Sequence, residues 1–384
     1  MRIAFVTNPA IGHLLPLVPL AQAARDAGHD VRVVAGSSLA RPLADSRLLH
    51  VVAGPPDLPS VFARIPERAG LTGRRLAAVT WQRAFAGIIA GEMAAGVVEL
   101  ARTWEPDLVV HEDSEQGSWI AAERLGVPHI ALQATAWRGT GYRLSAGPLN
   151  VLRVTHGLAE DPALASWHRY GFLTTRPPAL HNPLDPTPAG TLPIRPTAPD
   201  DGNGEPVAWP SVGPEARPRV VVTLGTLMPG RVETITAILD GLEDLDVDIT
   251  ATIGHDLDPA ALGPRRSSTR VARYVPMTPL LTGASLLVFH GGSGTMLAGL
   301  AAGVPLLVLP VAADQPENAD RCVAAGVARM LAANDREPWR IREAAAGVLG
   351  DEACRAAVMR VRAEIEAMPE PASVVPLLER LAGA

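Results

Sequence analysis

Ten short apolar runs, each closed by turn residues and most followed by a helix-like stretch, restrict this chain to parallel β-sheets with crossover helices. In the first half they are "RIAFVT" (2–7), "DVRVVAG" (30–36), "LLHVVAG" (48–54), "DLVVH" (107–111) and "PHIALQ" (128–133). In the second they are "RVVVTLG" (219–225), "VDITATI" (247–253), "TRVARYV" (269–275), "SLLVFH" (285–290) and "PLLVLP" (305–310). Residues 14–28 read as the first crossover helix, closed by Gly28, and "WQRAFAGIIAGEMAAGVVELA" (81–101) as a second. Between the halves, from Arg176, lies a stretch dense in Pro and Gly that predicts extended, irregular backbone joining two domains. The expected division is a domain at 1–200, a connector at 201–218, a second domain at 219–368 and a terminal helix at 369–384 docking back across the seam.

Composition narrows the function. A length of 384 residues suits two ordinary domains, and a net charge of −6 leaves no basic surplus to neutralise nucleic-acid phosphates. All 34 basic residues besides histidine are arginine, so neither a P-loop lysine nor a Schiff base is available. Cys322 and Cys354 are too few for a disulfide scaffold or a cysteine zinc site. The opening run is too short for the core of a signal peptide, and no apolar run approaches the length of a membrane span. The expectation is a reduced, soluble, cytoplasmic protein. A homodimer is compatible with these residues and is not specified by them.

Chemistry concentrates in "VFHGGSGTMLAGLAAGVPLLVLPVAADQPENADRC" (288–322). A strand ending in His290 and opening through Gly292, Ser293, Gly294 and Thr295 into a helix presents unpaired N–H groups that suit a phosphate. A Walker A loop would need Lys where Thr295 stands. The dinucleotide fingerprint fits Gly292, Gly294 and Asp314, but its third glycine is Leu297, and this strand is not the first of its sheet. Glycines serving tight packing alone are the structural alternative.

The same stretch resembles the donor-site signature of nucleotide-sugar glycosyltransferases of the two-domain GT-B type, in their bacterial natural-product branch. It couples His-x-Gly-x-Gly-Thr to a Gly-Val-Pro turn, a strand ending in proline, and Asp-Gln followed by Asn-Ala. "RYVPMTPLL", "TLGT" and "NPAIGHLLPLVPLAQAARDAGHDV" extend the likeness over most of the chain. The resemblance implies two Rossmann-like α/β domains facing across a cleft and no cofactor beyond a nucleoside diphosphate sugar as co-substrate. It implies that His290, Gly292, Ser293, Gly294 and Thr295 hold the diphosphate, with Thr226 on a loop closing over the donor. Tyr274 would stack on the base, Val275 to Met277 would read its edge, and Asp314 and Gln315 would bind sugar hydroxyls. Relatives using uridine donors often carry a glutamate on the ribose where this chain has Ala298, which points to a dTDP-linked, deoxygenated hexose.

The resemblance also makes His13 the general base that deprotonates the acceptor, a task suited to imidazole near neutral pH. Glu112 stands at the position of its orienting acid, with Asp113 and Glu115 as alternatives in "HEDSEQ". His111 beside them raises the thought of a metal site with His13, although the family transfers without a bound metal. The reaction implied is direct displacement with inversion. Residues 61–93 and 136–144, with Trp81, Phe85, Trp137 and Tyr142, fit either an acceptor pocket for a hydrophobic small-molecule aglycone or ordinary core. The rivals are a nucleotide-sugar 2-epimerase of the same fold and a catalytically silent nucleotide-sugar binder.

Overall fold

The computed structural model describes residues 1–137, 139–198, 217–225, 231–255, 257–332 and 334–383. The connector expected at 201–218 lies, apart from its last two residues, outside the described residues, as does Thr226. Contacts divide the chain into two units. Met1–Thr175, Asn182–Pro199 and Met368–Ala384 form one, and Arg176–His181 with Asp200–Ala367 the other.

The first unit holds seven strands: β1 (Arg2–Val6), β2 (Asp30–Ala35), β3 (Leu49–Val52), β4 (Leu108–Glu112), β5 (His129–Leu132), β6 (Phe172–Thr174) and β7 (Thr191–Pro193). Their order is β3-β2-β1-β4-β5-β6-β7, and every pairing is parallel. The second unit holds β8 (Arg219–Thr223), β9 (Asp248–Thr252), β10 (Thr269–Ala272), β11 (Leu286–Phe289), β12 (Leu306–Val308) and β13 (Ala328–Met330). Its order, β10-β9-β8-β11-β12-β13, is the doubly wound dinucleotide-fold order, again all parallel. All ten apolar runs read from the sequence are strands. Central strands β4 and β8 are buried along their whole length, as expected when helices cover both faces of a parallel sheet.

Three strands are additional to the reading. β6, β7 and β13 span three residues each, too short to show a period. β7 runs through the proline-rich stretch and ends at Pro193. It is an edge strand, where a residue without an N–H costs no ladder bond.

In both sheets the strand order reverses between neighbours, at β1/β4 and at β8/β11. Ligands of open α/β sheets bind beyond the carboxyl ends of strands at such points. The register places Val6 beside His111 and Phe289 beside Thr223. Glu112 and His290 immediately follow two of those positions and so lie at the carboxyl edge of their sheets, and His13 comes seven residues after Val6.

The helix expected at 81–101 is part of a longer one, Gly73–Ala101, whose stretch Thr80–Ile89 is π-helical. By length and composition alone this helix could cross a membrane, which the reading by uninterrupted apolar runs did not register. It packs as a core helix instead: Ile89, Met93, Ala94 and Val97 are fully buried against β-strand residues Ala4, Val6 and Val109. Burial of Ile89, Met93 and Val97 contributes about 1.5–3 kcal/mol each. The terminal helix Pro371–Ala382 lies against Val18–Asp26, with Val374, Val375 and Leu378 in the core of the first unit.

Candidate active site

Just beyond β1 the chain makes the single helical turn Ile11–Leu14, which carries His13. Beyond β4 lies the acidic loop, and its placement depends on one glycine. A Cβ on Gly117 would stand 2.1 Å from the carbonyl oxygen of Ala90, so only glycine lets this loop approach the long helix so closely.

Glu112 is the acid that meets His13. Its Oε1 is 3.0 Å from His13 Nδ1, and the carboxylate is fully buried while the imidazole is 16% exposed. The same carboxylate accepts from the Ser114 N–H at 2.8 Å and from Ser114 Oγ at 2.9 Å. Asn8 contributes its N–H to Glu112 at 3.4 Å and its side-chain amide to Ser114 Oγ at 2.9 Å. Burial alone would push the Glu112 carboxyl up. The charge and hydrogen bond of His13, with the Ser114 donors, outweigh burial and hold it below the ordinary range.

The other two acids have different work. Asp113 accepts from the Ala134 N–H at 2.8 Å and the Tyr142 hydroxyl at 2.9 Å, so its carboxylate ties the loop to the chain beyond β5. Glu115 accepts from the N–H groups of Gly117 and Ser118 and from Ser118 Oγ, capping the helix Ser118–Leu125. Burial is the first cause that lifts both to about 7, and the neighbouring Glu112 charge adds to it. His111 sits on the opposite face of β4, as alternation along a strand requires, with ring centroids 5.6 Å from His129 and 6.2 Å from Trp167. Its basicity is depressed to about 4, chiefly by burial. His111 and His13 therefore face different surroundings. Among the described residues no group of three or more His, Cys, Asp or Glu side chains is arranged to hold a metal.

Aromatic side chains continue from His13. Phe85 lies 6.4 Å from the imidazole by ring centroid, Trp81 is 5.3 Å from Phe85, and Tyr142 is 5.4 Å from Trp81. Trp137 stacks on Tyr142 at 4.7 Å. Trp81 and Phe85 are half-buried and are carried by the π-helical stretch, a distortion that recurs at functional sites. Val61 and Met93, which bound the expected pocket segment, are instead fully buried core.

In the second unit, β11 runs into His290 and the helix Ser293–Ala301. Gly291 takes φ +94 and Gly225, after β8, takes φ +68, conformations that favour glycine. A Cβ on Gly225 would come within 3.0 Å of the His290 ring, and one on Gly292 within 2.6 Å. These glycines thus let two loops close on one imidazole. Burial keeps that ring below its ordinary basicity, although the Asp314 carboxylate and the Thr223 backbone pull the other way. Gly294 is exposed, and Gly294 and Thr295 lie in the first turn, whose N–H groups have no partner within a helix.

Ser293 is positioned differently from its expected part. Its hydroxyl donates to Asp314 Oδ2 at 2.7 Å and accepts from Asn318 Nδ2 at 3.1 Å and Arg176 at 2.9 Å. A hydroxyl has one proton and two lone pairs, so all are engaged, and the backbone N–H is what Ser293 offers a phosphate. Gln315 accepts from the N–H groups of Val311 and Ala312 at 2.8 and 3.0 Å, which leaves its amide protons as the group to meet a hydroxyl. Tyr274 stacks on His255 at 5.3 Å. Val275 is buried, and Met277 opens the helix Met277–Leu281.

Two further residues belong to this loop. Asn318 is fully buried and donates to the Gly291 carbonyl at 2.7 Å and to Asp314 Oδ2 at 3.1 Å. It is the Asn of the Asn-Ala that follows Asp-Gln in the motif. Arg176, 5% exposed, donates to Asn318 Oδ1 at 2.6 Å as well as to Ser293. Nothing in the sequence around it signals this.

The comparisons agree with the geometry. Residues 22–225 match the N-terminal domain of the "Erythromycin biosynthesis protein CIII-like" family, and residues 236–381 its C-terminal domain. The chain belongs to this family. It is a glycosyltransferase of the natural-product branch, with the two parallel-sheet α/β domains of the GT-B fold. It is 32% identical to the L-demethylnoviosyl transferase of Streptomyces niveus over 97% of this chain and 96% of that one. It is 30% identical to the 3-alpha-mycarosylerythronolide B desosaminyl transferase of Saccharopolyspora erythraea, over 100% and 98% respectively. Among solved structures, the glycosyltransferase SnogD from Streptomyces nogalater superposes with a TM-score of 0.80 at 30% identity, covering 100% of this chain and 99% of its own. The glycosyltransferase VinC in complex with dTDP superposes with a TM-score of 0.80 at 25% identity, covering 100% of both chains.

Proposed function

We propose that this glycosyltransferase moves a deoxygenated hexose from a dTDP donor to a hydroxyl of a hydrophobic aglycone, with inversion and without a bound metal. The observation that carries the reading is His13 oriented by the fully buried Glu112 at the β1/β4 edge. Nδ1 faces the carboxylate, so Nε2 is the nitrogen that takes the acceptor proton as oxygen attacks the anomeric carbon. Double displacement would need an accessible carboxylate nucleophile. Around His13, Glu112, Asp113 and Glu115 are each 0% exposed and hydrogen-bonded, so none of these three offers such a nucleophile. Phe85, Trp81 and Tyr142, running away from His13, supply an apolar wall for the aglycone. A cytoplasmic location belongs to the same proposal. Cys322 and Cys354 are free and buried thiols.

The leaving diphosphate would rest on the first-turn N–H groups of Ser293–Ala301 and on His290, which replace a metal as the stabiliser of departing charge. The transfer rate should accordingly survive EDTA nearly unchanged, measured by product mass with a panel of nucleotide sugars and aglycones. A strict requirement for added magnesium or manganese would contradict this part.

The choice of dTDP rests on Ala298, half-buried against the core of the second unit, and is supported by the dTDP complex of VinC. A glutamate there would lose a partner on a 2′-deoxyribose, and an unpaired buried acceptor costs about 1–3 kcal/mol. Alanine carries no such penalty. Titration calorimetry should find dTDP bound more tightly than UDP, and the reverse order would remove the nucleotide assignment.

A further inference from the structure

The donor loop contains an electrostatic conflict. Asp314 is the residue proposed for sugar hydroxyls, yet its carboxylate accepts a hydrogen bond from Ser293, the first residue of the helix proposed to hold the diphosphate. A carboxylate that close to a bound diphosphate opposes it, because like charges at such range disfavour one another's ionised forms. Arg176 donates to the same hydroxyl. Ser293 Oγ is 2.9 Å from the guanidinium and 2.7 Å from Asp314 Oδ2, so one oxygen joins the two charges. Asn318 joins them a second time, accepting from Arg176 at 2.6 Å and donating to Asp314 Oδ2 at 3.1 Å.

We propose that Arg176 is a positioning residue of the donor site, whose buried guanidinium offsets the Asp314 charge beside the diphosphate loop and fixes that carboxylate for the sugar. The inference rests on the donor reading above and deepens it. Arginine suits this place because one guanidinium nitrogen, Nη2, carries two N–H groups for two acceptors and the group stays charged when buried. Without it, the loop would carry an acid that helps the hexose and repels the phosphates. With it, the acid is retained at little electrostatic cost to the nucleotide.

The test is binding of dTDP by calorimetry to the full chain and to variants. Arg176→Gln removes the charge while retaining a polar amide of shorter reach, and dTDP should bind roughly 10- to 100-fold more weakly. Adding Asp314→Asn to that variant should restore most of the lost affinity, a rescue that a merely structural arginine would not allow. Asp314→Asn in the otherwise unchanged protein should bind dTDP about as well as the parent or more tightly, while its KM for the sugar donor rises. That arm remains informative should Arg176→Gln fail to fold. Equal dTDP affinity in Arg176→Gln and the parent, no rescue in the double variant, or weaker dTDP binding in Asp314→Asn would each overturn the inference. Absence of dTDP or UDP binding by the parent would overturn the donor reading itself, and the two failures are therefore distinct.

Discussion

Replacing His13 by alanine should lower transfer to an oxygen acceptor by roughly 10²- to 10⁴-fold, the usual scale for losing a general base. His13 lies in the first unit, so dTDP binding should change little, while the buried Glu112 carboxylate loses the partner that offsets its burial and the fold should lose some stability. Glu112→Gln should cost less, because an amide can still accept at one atom and hold the ring. Its loss is that of the charge that stabilises imidazolium in the transition state. Steady-state rates with donor saturated check both, together with calorimetric dTDP affinity to show that the donor site is intact. Parent-like turnover in His13→Ala would remove His13 from the mechanism. A larger loss in Asp113→Asn than in Glu112→Gln would move the orienting role by one residue.

The strands and the glycine loop were legible because both rest on local rules. Buried parallel strands read as unbroken apolar runs, and a helix N-terminus preceded by Gly291 and Gly292 has few structural uses. The choice of Glu112 over Asp113 and Glu115 was legible only through the family resemblance, because it depends on three-dimensional neighbours. Glu112 is the last residue of β4, and only the register of β4 against β1 shows that it meets the turn carrying His13. Glu115 is claimed by the N–H groups of a helix whose start is set by Gly117 packing on Ala90. Arg176 was least visible of all. It lies 117 residues from Ser293 in a proline-rich stretch, and no periodicity links the two. The same long-range character explains Ser293, whose type suggests a phosphate ligand but whose hydroxyl is used up by Arg176, Asn318 and Asp314.

Asp113→Asn should stabilise the protein at pH 8 and do so much less at pH 5. In the folded state burial, with the Glu112 charge beside it, raises the Asp113 carboxyl from its ordinary 3.8 to about 7. A group raised on folding contributes stability that is complete below its unfolded value and is lost as pH rises through the folded one. Once Asp113 ionises, a rise of that size removes about 4 kcal/mol, of which roughly 2–3 disappears between pH 5 and pH 8. Asparagine does not titrate, and its carbonyl can still accept from the Ala134 N–H while its amide faces the Tyr142 hydroxyl. Glu112 has the opposite sign. Held below its ordinary 4.5, it supports the fold above that pH and withdraws support only on acidification, so it contributes little to a comparison between pH 5 and pH 8. Glu115 is raised like Asp113 and remains in the variant, which should therefore keep part of the parent's slope. Denaturant titrations of both proteins at the two pH values measure the difference directly. A gain from Asp113→Asn that is the same at pH 5 and pH 8 would mean that Asp113 is already ionised in the folded protein across this range.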